Sequence, residues 1–505
     1  MIVELDRSRD EPLYLQISEQ IRERIRRGEL APGTRLPPER RLAETLGVNR
    51  GTVVNAYREL AVGGFIVGRV GHGTVVANLE SSLTTPPHGQ SAIPWDQIIT
   101  PMSQDPDDPL LRDVMTISSR PGVISFANGI PSPSLYPVDT IRNLYDEALD
   151  AAGQTLLQHC PVEGYPPLRR AIASWMGTGG RPGDPSDILV VAGSQQGLYL
   201  IARALLEPGD LVVVESATYL GALQVFQATG ARLLPIPLDG DGMRVDLIED
   251  LVERRRPKLI YTLPTFQNPS SVTMSLERRR RLLALAARYQ IPIVEDDPYG
   301  ALRYEGESLP SLHALDEDGT VIYLSTVSKI LSPGLRIGWI SGPRPIIERL
   351  AVLKQIVDLD TNPLAQWVVW AFIERGLLAR HLDWLRVEYP RRRDRMLGAL
   401  ERHCSHAMTW SRPPGGFYVW CQLLNGRRAR DLLPEAARRG VVFAPGRSFH
   451  PDRVGEAALR LSFAFPDEAT IAEGIARLAT AIAATSGDHA NLYIGHQESR
   501  VTPIV

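Results

Sequence analysis

Chemistry that needs a lysine amine has only three places in this chain of 505 residues: Lys258, Lys329 and Lys354. Lys329 follows the apolar run TVIYLST, is flanked by hydroxyl residues in STVSKILSPGLRIGW, and precedes Arg336. An arginine there can neutralise a phosphate through two parallel hydrogen bonds. Lys258 stands in the charged run RRRPK and Lys354 on a helix, so we expect both to be solvated. Lys329 is therefore the candidate reactive amine.

Several polar residues that precede Lys329 also follow apolar runs. Asp296 ends the run in IPIVEDDPYG, Asn268 follows another in PTFQNPS, and AGSQQGL stands between a strand-like and a helix-like stretch. Each signal also has an ordinary interpretation: the acidic pair as metal ligands or a helix cap, Asn-Pro as a turn, the helix start as a simple cap. Together, in order at strand ends, they favour a site for a phosphorylated cofactor.

The elements that carry these residues alternate between strands and helices from about residue 120 onward. Many are apolar on both faces, which predicts a sheet covered by helices on both sides, an α/β/α body. After about residue 385, PPGGFYVWCQLL and LRLSFAF predict a smaller α+β subdomain. The strand candidates of the main sheet are DILVVAG, DLVVVES, RLLPIPL, KLIYTLP, IPIVEDD, TVIYLST and RIGWISG.

The N-terminal segment predicts a separate α+β unit. Apolar residues recur every four positions from Leu13 to Ile25, and two shorter helical stretches follow, joined by a tight turn at Gly47. FIVGRVGHGTVVA then alternates like a hairpin with Gly71 and Gly73 at its tip. Three helices and a hairpin are the layout of a winged helix-turn-helix, whose second motif helix enters the major groove of DNA.

Local charge favours DNA binding by this unit, although the net charge of the whole chain is -3. Residues 22–50 contain eight Arg and four Glu, a surplus that supplies weak attraction to DNA, and a dimer would double the phosphate contacts. At the start of the second motif helix, Asn49 can pair with adenine and Arg50 with guanine or phosphate. The alternative is a helical domain that binds protein.

The stretch from PGTRLPPERRLAETLGV to GFIVGRVGHGTVVA resembles the winged head of GntR-type bacterial regulators, with turn, helix and wing in the same order. The resemblance implies double-stranded operator DNA as a partner. The sequence departs from the family at Gly51, where the family often carries a polar or hydroxyl residue, and this bears on base specificity. The implied DNA-contacting and wing residues are Arg35, Arg40, Asn49, Arg50, Thr52, His72 and Gly73.

The body resembles the fold-type I aminotransferases over roughly residues 120–480. The matching pieces are VEGYPPLRRAI, AGSQQGL, ESATY, PTFQNPS, EDDPYG, STVSKILSPGLRIGW, PPGGFY and LRLSF. The resemblance implies pyridoxal 5'-phosphate as the cofactor. That cofactor needs a lysine for a Schiff base, a carboxylate that keeps its pyridine nitrogen protonated, donors to its phenolic oxygen and a cup for its phosphate.

Residue by residue, the resemblance implies Lys329 as the Schiff-base lysine and Asp296 as the partner of the pyridine nitrogen. Tyr299 and Asn268 would share the phenolic oxygen, and Tyr219 would stack on the ring. The implied phosphate cup consists of Ser194, Gln195, Thr326 and Arg336.

The resemblance also implies a place for an amino compound. Arg460 in RLSF would hold an amino-acid carboxylate, and Gly129 would lie over the substrate. Two positions depart from the family. His159 replaces a tyrosine that reaches the phosphate of the partner subunit, and Ser216 replaces a proline in the segment that carries Tyr219.

A GntR-type head joined to an aminotransferase-like body resembles the MocR/GabR class of bacterial transcription regulators. In that class the body is a sensor and dimer scaffold, so we expect a domain-swapped homodimer whose body senses an amino compound through an aldimine. The ligand must distinguish two conformations of the body to change DNA binding, and we expect body closure to alter head spacing through the linker. Physiological turnover is not expected.

Two alternatives remain open. A regulator of vitamin B6 metabolism would sense pyridoxal phosphate itself, and its DNA affinity would change with the cofactor alone. An active aminotransferase would use the same lysine, aspartate and arginine to turn over an amino acid and a keto acid.

The predicted boundaries are 1–79 for the head, 80–118 for a linker rich in Pro, Ser and Asp, 119–485 for the body and 486–505 for a tail. The three cysteines are far apart and form no CxxC pair, which argues against a disulfide framework or a metal site. The N-terminus shows no signal pattern and no apolar run is long enough to span a membrane. We therefore expect a cytoplasmic protein.

Overall fold

The computed structural model describes residues 5–7, 11–69, 73–77, 98, 109–177 and 183–485. It divides into two units, Met1–Thr100 and Pro101–Val505, called the head and the body below. The predicted tail, most of the predicted linker and the wing tip with His72 lie outside the described residues. Within the described ranges, no helix combines the length and the apolar character needed to cross a bilayer.

Three helices form the core of the head: α1 (Leu13–Arg26), α2 (Glu39–Leu46) and α3 (Arg50–Val62). The repeat of apolar residues along α1 gives it one buried face, and Ile21 on that face packs with Leu60 of α3 in a single apolar cluster. Both side chains are inaccessible to solvent. Burial of these faces against each other stabilises helices that are too short to persist alone.

The turn between α2 and α3 is tight. Gly47 adopts a φ of 61°, a left-handed conformation that favours glycine. The side chain of Asn49 caps α3 by accepting a hydrogen bond from the backbone N–H of Gly51 at 3.0 Å. Strands β1 (Ile66–Arg69) and β2 (Gly73–Val76) then pair antiparallel. These elements confirm the winged helix-turn-helix that the sequence predicts.

The body is built from alternating helices and strands. In chain order they are α4 (Pro109–Ser118), β3 (Ile124–Ser125), α5 (Val138–Leu156), α6 (Pro166–Gly177), β4 (Ile188–Val191), α7 (Ser194–Leu205), β5 (Leu211–Glu215), α8 (Leu220–Ala228), β6 (Arg232–Ile236), β7 (Leu238–Asp239), β8 (Gly242–Met243), α9 (Val245–Val252), β9 (Leu259–Thr262), α10 (Leu276–Tyr289), β10 (Ile293–Asp296), α11 (Leu312–Leu315), β11 (Val321–Thr326), β12 (Gly338–Ser341), α12 (Arg344–Asp358), α13 (Pro363–Glu374), α14 (Leu377–Cys404), β13 (Met408–Trp410), β14 (Tyr418–Leu423), α15 (Ala429–Arg438), β15 (Val441–Val442), β16 (Ala444–Pro445), β17 (Ala458–Ser462) and α16 (Glu468–Ala484).

All seven apolar runs that the sequence predicts as strands lie in one mixed sheet, in the order β4-β12-β11-β10-β9-β5-β6. Its two faces are both covered. In β4, Ile188 and Val190 join one apolar cluster, whereas Leu189 and Val191 join another on the opposite face. The predicted α/β/α arrangement is therefore confirmed.

Strand direction decides where the polar segments meet. β12 runs antiparallel to both β11 and β4, and the other neighbours in the sheet are parallel. The segments that follow β4, β5, β9, β10 and β11 therefore leave from one edge of the sheet, and the start of β12 returns to that edge. This edge collects Ser194, Tyr219, Asn268, Asp296, Lys329 and Arg336.

The predicted C-terminal subdomain is confirmed as a four-stranded antiparallel sheet in the order β13-β14-β17-β16, with α14 packed against α16. The body also draws on the segment 80–118, for which the composition predicts a linker. That segment contains α4, whose Val114 is fully buried in the main apolar cluster of the body.

Candidate cofactor and DNA-binding sites

Lys329 lies in the turn that follows β11 and is half-buried. Its ammonium Nζ donates a hydrogen bond to the carbonyl oxygen of Gly129 at 2.9 Å. Burial lowers the pKa of Lys329 to about 8, the positive charges of Arg460 and Arg336 lower it too, and Asp296 opposes them. The amine is therefore deprotonated more readily than that of a solvated lysine, as a nucleophile requires.

The other two lysines differ from each other. Lys258 is exposed, as predicted. The prediction that Lys354 is solvated is wrong, because its side chain is fully buried and its Nζ lies 3.1 Å from Oδ1 of Asp358. Ile347, Leu350 and Ala351 are buried on the same face of α12, and position 354 continues that face. An ion pair with the half-buried Asp358 accounts for Lys354, which leaves Lys329 as the candidate reactive amine.

Asp296 ends β10 with only 2% of its surface exposed. Its Oδ2 accepts a hydrogen bond from the hydroxyl of Tyr261 at 2.7 Å, whereas its Oδ1 is buried without a partner among the described residues. Burial raises the pKa of Asp296 to about 7, and the neighbouring carboxylate of Asp297 adds to the rise. Both oxygens of Glu295 and both of Asp297 accept hydrogen bonds. Of these three consecutive acids, only Asp296 has a carboxylate oxygen that no donor among the described residues contacts.

Tyr299 and Asn268 are engaged with protein partners. The hydroxyl of Tyr299 lies 2.8 Å from that of Tyr418, and burial raises the pKa of Tyr299 well above its ordinary value. Oδ1 of Asn268 accepts a hydrogen bond from Nη1 of Arg460 at 2.8 Å. The structure thus joins Asn268 to the predicted carboxylate clamp and Tyr299 to Tyr418.

Arg460 lies on β17 with only 7% of its surface exposed. Its guanidinium carbon lies 4.1 Å from the ring centroid of Tyr418 and 4.8 Å from that of Phe449. Nη2 donates to the carbonyl oxygen of Ala127 at 2.6 Å, and Nε is buried with no partner among the described residues. A buried N–H without an acceptor is costly, so the group is prepared to receive an anionic ligand.

The start of α7 forms a cradle with Arg336. Gly193 precedes the helix with a φ of 89°, and a Cβ at this glycine would lie 2.6 Å from Nη2 of Arg336. Arg336 is exposed and also donates to the carbonyl oxygen of Ala192 at 2.7 Å. Free backbone N–H groups at a helix start, together with an exposed guanidinium, suit a phosphate. Ser194 is the first residue of this helix.

The remaining predicted cup and stacking residues lie in two hydrogen-bonded groups. The hydroxyl of Tyr219 donates to Oε1 of Gln195 at 3.1 Å. The hydroxyl of Thr326 donates to the carbonyl oxygen of Ile337 at 2.8 Å. His159, which replaces a tyrosine of the family, is exposed and lies outside these groups. Its Nδ1 lies 2.8 Å from a carboxylate oxygen of Asp360.

In the head, the predicted DNA contacts differ in exposure. Arg40 and Arg50 are exposed, and Arg50 lies 3.2 Å from the carboxylate of Glu39. Asn49 uses its side-chain oxygen to cap α3, a structural role that the sequence interpretation missed. Thr52 is half-buried in the first turn of that helix.

Arg35 lies beside the wing. A Cβ at Gly73 would lie 3.1 Å from Nε of Arg35, and Arg35 forms a β-bridge with Val75. The structure therefore brings Arg35 and Gly73 together, while His72 lies outside the described residues.

Comparisons with known proteins match both units. Residues 13–76 match the family described as bacterial regulatory proteins of the gntR family, and residues 132–478 match aminotransferase class I and II. The HTH-type transcriptional regulator YisV of Bacillus subtilis is 34% identical over 93% of this chain and 96% of its own. The probable rhizopine catabolism regulatory protein MocR of Rhizobium meliloti is 32% identical over 95% of this chain and 96% of its own.

The chain belongs to the GntR/MocR-type transcription regulators, with an aminotransferase class I and II domain as its body. The body alone is also similar to enzymes. Aromatic-amino-acid aminotransferase 1 of Thermococcus litoralis is 43% identical over 74% of this regulator and 91% of the enzyme.

Solved structures relate the body of this MocR-type regulator to cofactor-bound enzymes. The kynurenine aminotransferase of Pyrococcus horikoshii, in complex with PMP, gives a TM-score of 0.75 at 38% identity, covering 78% of this chain and 98% of its own. The α-aminoadipate aminotransferase LysN of Thermus thermophilus, complexed with N-(5'-phosphopyridoxyl)-L-leucine, gives 0.73 at 34% identity, covering 78% and 99%. The aminotransferase class I and II family typically uses pyridoxal phosphate.

The residues of this regulator fit such a cofactor. Oδ1 of Asp296 is a buried acceptor that lacks a donor in the described part of the chain, the cradle between Gly193 and Arg336 would be filled by a Cβ, and Lys329 is an amine with a lowered pKa. These three features match the ring nitrogen, the phosphate and the aldehyde of pyridoxal phosphate, in that order.

Tyr261 and Tyr418 also contact residues of this site, and neither was singled out from the sequence. Tyr261 donates to Asp296 from the neighbouring strand β9, and Tyr418 contacts Tyr299. The signal for Tyr261 was a tyrosine inside an otherwise apolar run, because a buried tyrosine hydroxyl usually finds a partner. Tyr418 is the last residue of the PPGGFY motif. Its position at the start of a strand is the one sequence feature that could have indicated it.

We expect Asp296→Asn to change how the stability of the cofactor-free protein depends on pH. The pKa of Asp296 is about 7 in the folded protein, against about 3.9 for an unfolded aspartate. Between these pH values the folded protein holds a proton that the unfolded chain has released, so the free energy of unfolding falls as pH rises. The variant should make this fall shallower in urea unfolding between about pH 4 and pH 7. Asp250→Asn, at an exposed position on α9, is the matched control and should keep the wild-type slope, and an equal slope in all three proteins would contradict the assignment.

Proposed function

We propose that this regulator binds pyridoxal phosphate in its body and changes its affinity for operator DNA when the body binds an amino compound that carries a carboxylate. The observation that carries the proposal is that Lys329 and Asp296 lie at one edge of the main sheet, where Arg460 of β17 bonds to Asn268. Among the described residues, Asp296 has an unpaired buried acceptor and Arg460 an unpaired buried donor. A body that served only as a scaffold would need none of these costly groups.

Each chemical group of the cofactor would be bound by specific residues of the body. Lys329 would attach to the aldehyde, Asp296 would accept from the ring nitrogen, and Tyr299 with Asn268 would bind the phenolic oxygen. Tyr219 would cover the ring. The phosphate would be held by Ser194, Gln195, Thr326 and Arg336.

Bound pyridoxal phosphate supplies an aldehyde that condenses with amines, and a protonated ring that withdraws electrons from them. Asp296 supports that state of the ring because its carboxylate is buried and one of its oxygens has no donor within the described ranges. Tyr261 holds the other oxygen at 2.7 Å and thereby keeps the carboxylate oriented. Lys329, with a pKa of about 8, can give up its proton near neutral pH.

The hydrogen bonding of Arg460 favours a ligand that carries a carboxylate. Two of its N–H groups donate to Asn268 and Ala127, and the Nε–H remains without an acceptor among the described residues. An arginine has five N–H donors, so a carboxylate can bind without breaking both existing contacts. An amine that lacks the carboxylate would leave this donor unpaired, which makes α-amino acids the favoured class of effector.

Regulation follows if the ligand distinguishes two conformations of the body. A ligand that binds both conformations equally shifts nothing, however tightly it binds. The effector would change the contacts of Lys329 with Gly129 and of Arg460 with Ala127, so it has the means to favour one conformation. We propose that this preference reaches the DNA-binding head of a homodimer.

A second candidate function is aminotransferase activity. It is favoured by the same intact set of residues and by the 43% identity of the body to an aromatic-amino-acid aminotransferase. The presence of a GntR-type head favours regulation as the main role, because turnover alone has no use for a DNA-binding domain.

We expect Lys329→Ala to abolish the visible absorbance that pyridoxal phosphate acquires when it is bound to the protein, because the variant lacks the amine that attaches to the aldehyde. Far-UV circular dichroism should show an unchanged fold. Lys258→Ala, which removes an exposed lysine, is the matched control and should keep the band. Retention of the band by the Lys329 variant would show that the lysine assignment is wrong.

We expect Arg50→Ala to weaken binding of operator DNA by about 1–3 kcal/mol if Arg50 reads a base, and to relax specificity at one position. Fluorescence anisotropy at several salt concentrations separates this from loss of a phosphate contact, which would mainly reduce the salt slope. Arg142→Ala removes an exposed, paired arginine from the body and is the control. An unchanged affinity and an unchanged slope would remove Arg50 from the interface.

The proposed function itself is tested by binding the purified protein to DNA from upstream of its own gene. Pyridoxal phosphate is added first, and then L-alanine or ethylamine, a pair that differs by the carboxylate, followed by a wider panel of amino acids. We expect an amino acid to change DNA affinity only when the protein carries the cofactor. A change caused by the cofactor alone would support the vitamin-sensing alternative, and turnover without DNA binding would support the enzyme.

A further inference from the structure

Tyr418 contacts three of the residues that the proposed site would use. Its hydroxyl lies 2.8 Å from that of Tyr299, and the guanidinium carbon of Arg460 lies 4.1 Å from its ring centroid. A Cβ on Gly129 would lie 2.5 Å from its hydroxyl oxygen, so the main chain at Gly129 approaches closely. One buried side chain thus touches the proposed phenolic-oxygen donor, the proposed carboxylate clamp and the segment over the ligand.

Tyr418 is held firmly in this position. It starts β14, which pairs antiparallel with β17, the strand that carries Arg460. Its carbonyl oxygen accepts a hydrogen bond from the hydroxyl of Ser271 at 2.7 Å, and only 1% of the residue is exposed. Its ring meets that of Tyr299 edge to face, with centroids 5.7 Å apart. The hydroxyl therefore has little freedom to turn away from Tyr299.

The direction of the Tyr299–Tyr418 hydrogen bond decides what Tyr299 can do. A tyrosine hydroxyl carries a single hydrogen, so Tyr299 can donate to one acceptor at a time. If Tyr299 donates to Tyr418, it has no hydrogen left for the cofactor. If Tyr418 donates to Tyr299, the hydrogen of Tyr299 is free for the phenolic oxygen, and the chain of two donors strengthens that contact.

We propose that Tyr418 is a positioning residue whose hydroxyl donates to Tyr299 and thereby directs the Tyr299 hydroxyl toward the phenolic oxygen of pyridoxal phosphate. The inference rests on the proposed function and deepens it. It assigns to Tyr418 control over the basicity of the bound cofactor, because a donor at the phenolic oxygen stabilises negative charge there. Through its contact with Arg460, the same side chain adjoins the place where the ligand carboxylate would bind.

The test is the pH titration of the visible absorbance band of the cofactor-loaded, full-length protein. Tyr418→Phe keeps the ring and removes the hydroxyl. We expect the band to remain and its midpoint to move to higher pH by up to about one unit, the effect of one weakened hydrogen bond. Tyr299→Phe should move the midpoint in the same direction, and adding Tyr418→Phe to it should cause no further shift, because Tyr418 acts through Tyr299.

Tyr389→Phe is the matched control. Tyr389 is fully buried and packs on Phe417, next to Tyr418 in the chain, but its hydroxyl has no hydrogen-bond partner among the described residues. The Tyr389→Phe protein should show the same pH midpoint of the visible absorbance band as the wild type.

The failures are distinguishable. If Tyr299→Phe moves the midpoint and Tyr418→Phe does not, the inference is overturned and the proposed function stands. A shift by Tyr418→Phe that persists in the Tyr299→Phe background also overturns it, because Tyr418 would then act independently of Tyr299. If the wild-type protein forms no visible band with pyridoxal phosphate, the proposed function fails and the inference fails with it.

Discussion

Asp296 keeps one carboxylate oxygen buried and without a donor among the described residues, a state that costs free energy unless a ligand completes it. The surrounding structure makes that state possible. β10 lies in the middle of the seven-stranded sheet, both faces of which are covered, and Tyr261 holds the other oxygen from β9. A protonated ring nitrogen is the partner that would remove the cost, and the remaining features of the site are arranged around that position.

One strand of the sheet, β12, runs in the reverse direction and brings further residues to the same edge. β12 runs against both of its neighbours, so the residues that precede it, including Arg336, meet the segments that follow the parallel strands. The close approach of Arg336 to Gly193 then joins the helix start of α7 to the turn that carries Lys329. Aminotransferase chemistry and ligand sensing can share this arrangement, because both begin with capture of an amine. The GntR-type head is what favours sensing in this chain.

The hydrogen-bonded groups around this edge are contacts through which a bound ligand can favour one conformation of the body. Arg460, Asn268, Tyr418 and Tyr299 form one continuous set of contacts, and Lys329 bonds to the main chain of Gly129. A carboxylate at Arg460 would change this set of contacts, and an amine near Lys329 would change the hydrogen bond from Lys329 to Gly129. Such a ligand acts on regulation only through a difference between two conformations, so these contacts are where that difference is to be sought.

The sequence by itself determined the winged head and all seven strands of the main sheet, and it singled out Lys329 as the candidate amine, because apolar periodicity and strand-end residues are local properties of the chain. It misjudged Lys354, since only the packing of α12 buries that amine against Asp358. It named Asp296 by resemblance, whereas the structure shows that Glu295 and Asp297 already have donors on both oxygens. Tyr418 and Tyr261 reach the site from other strands, and such partners depend on sheet order and register, which only the tertiary structure decides.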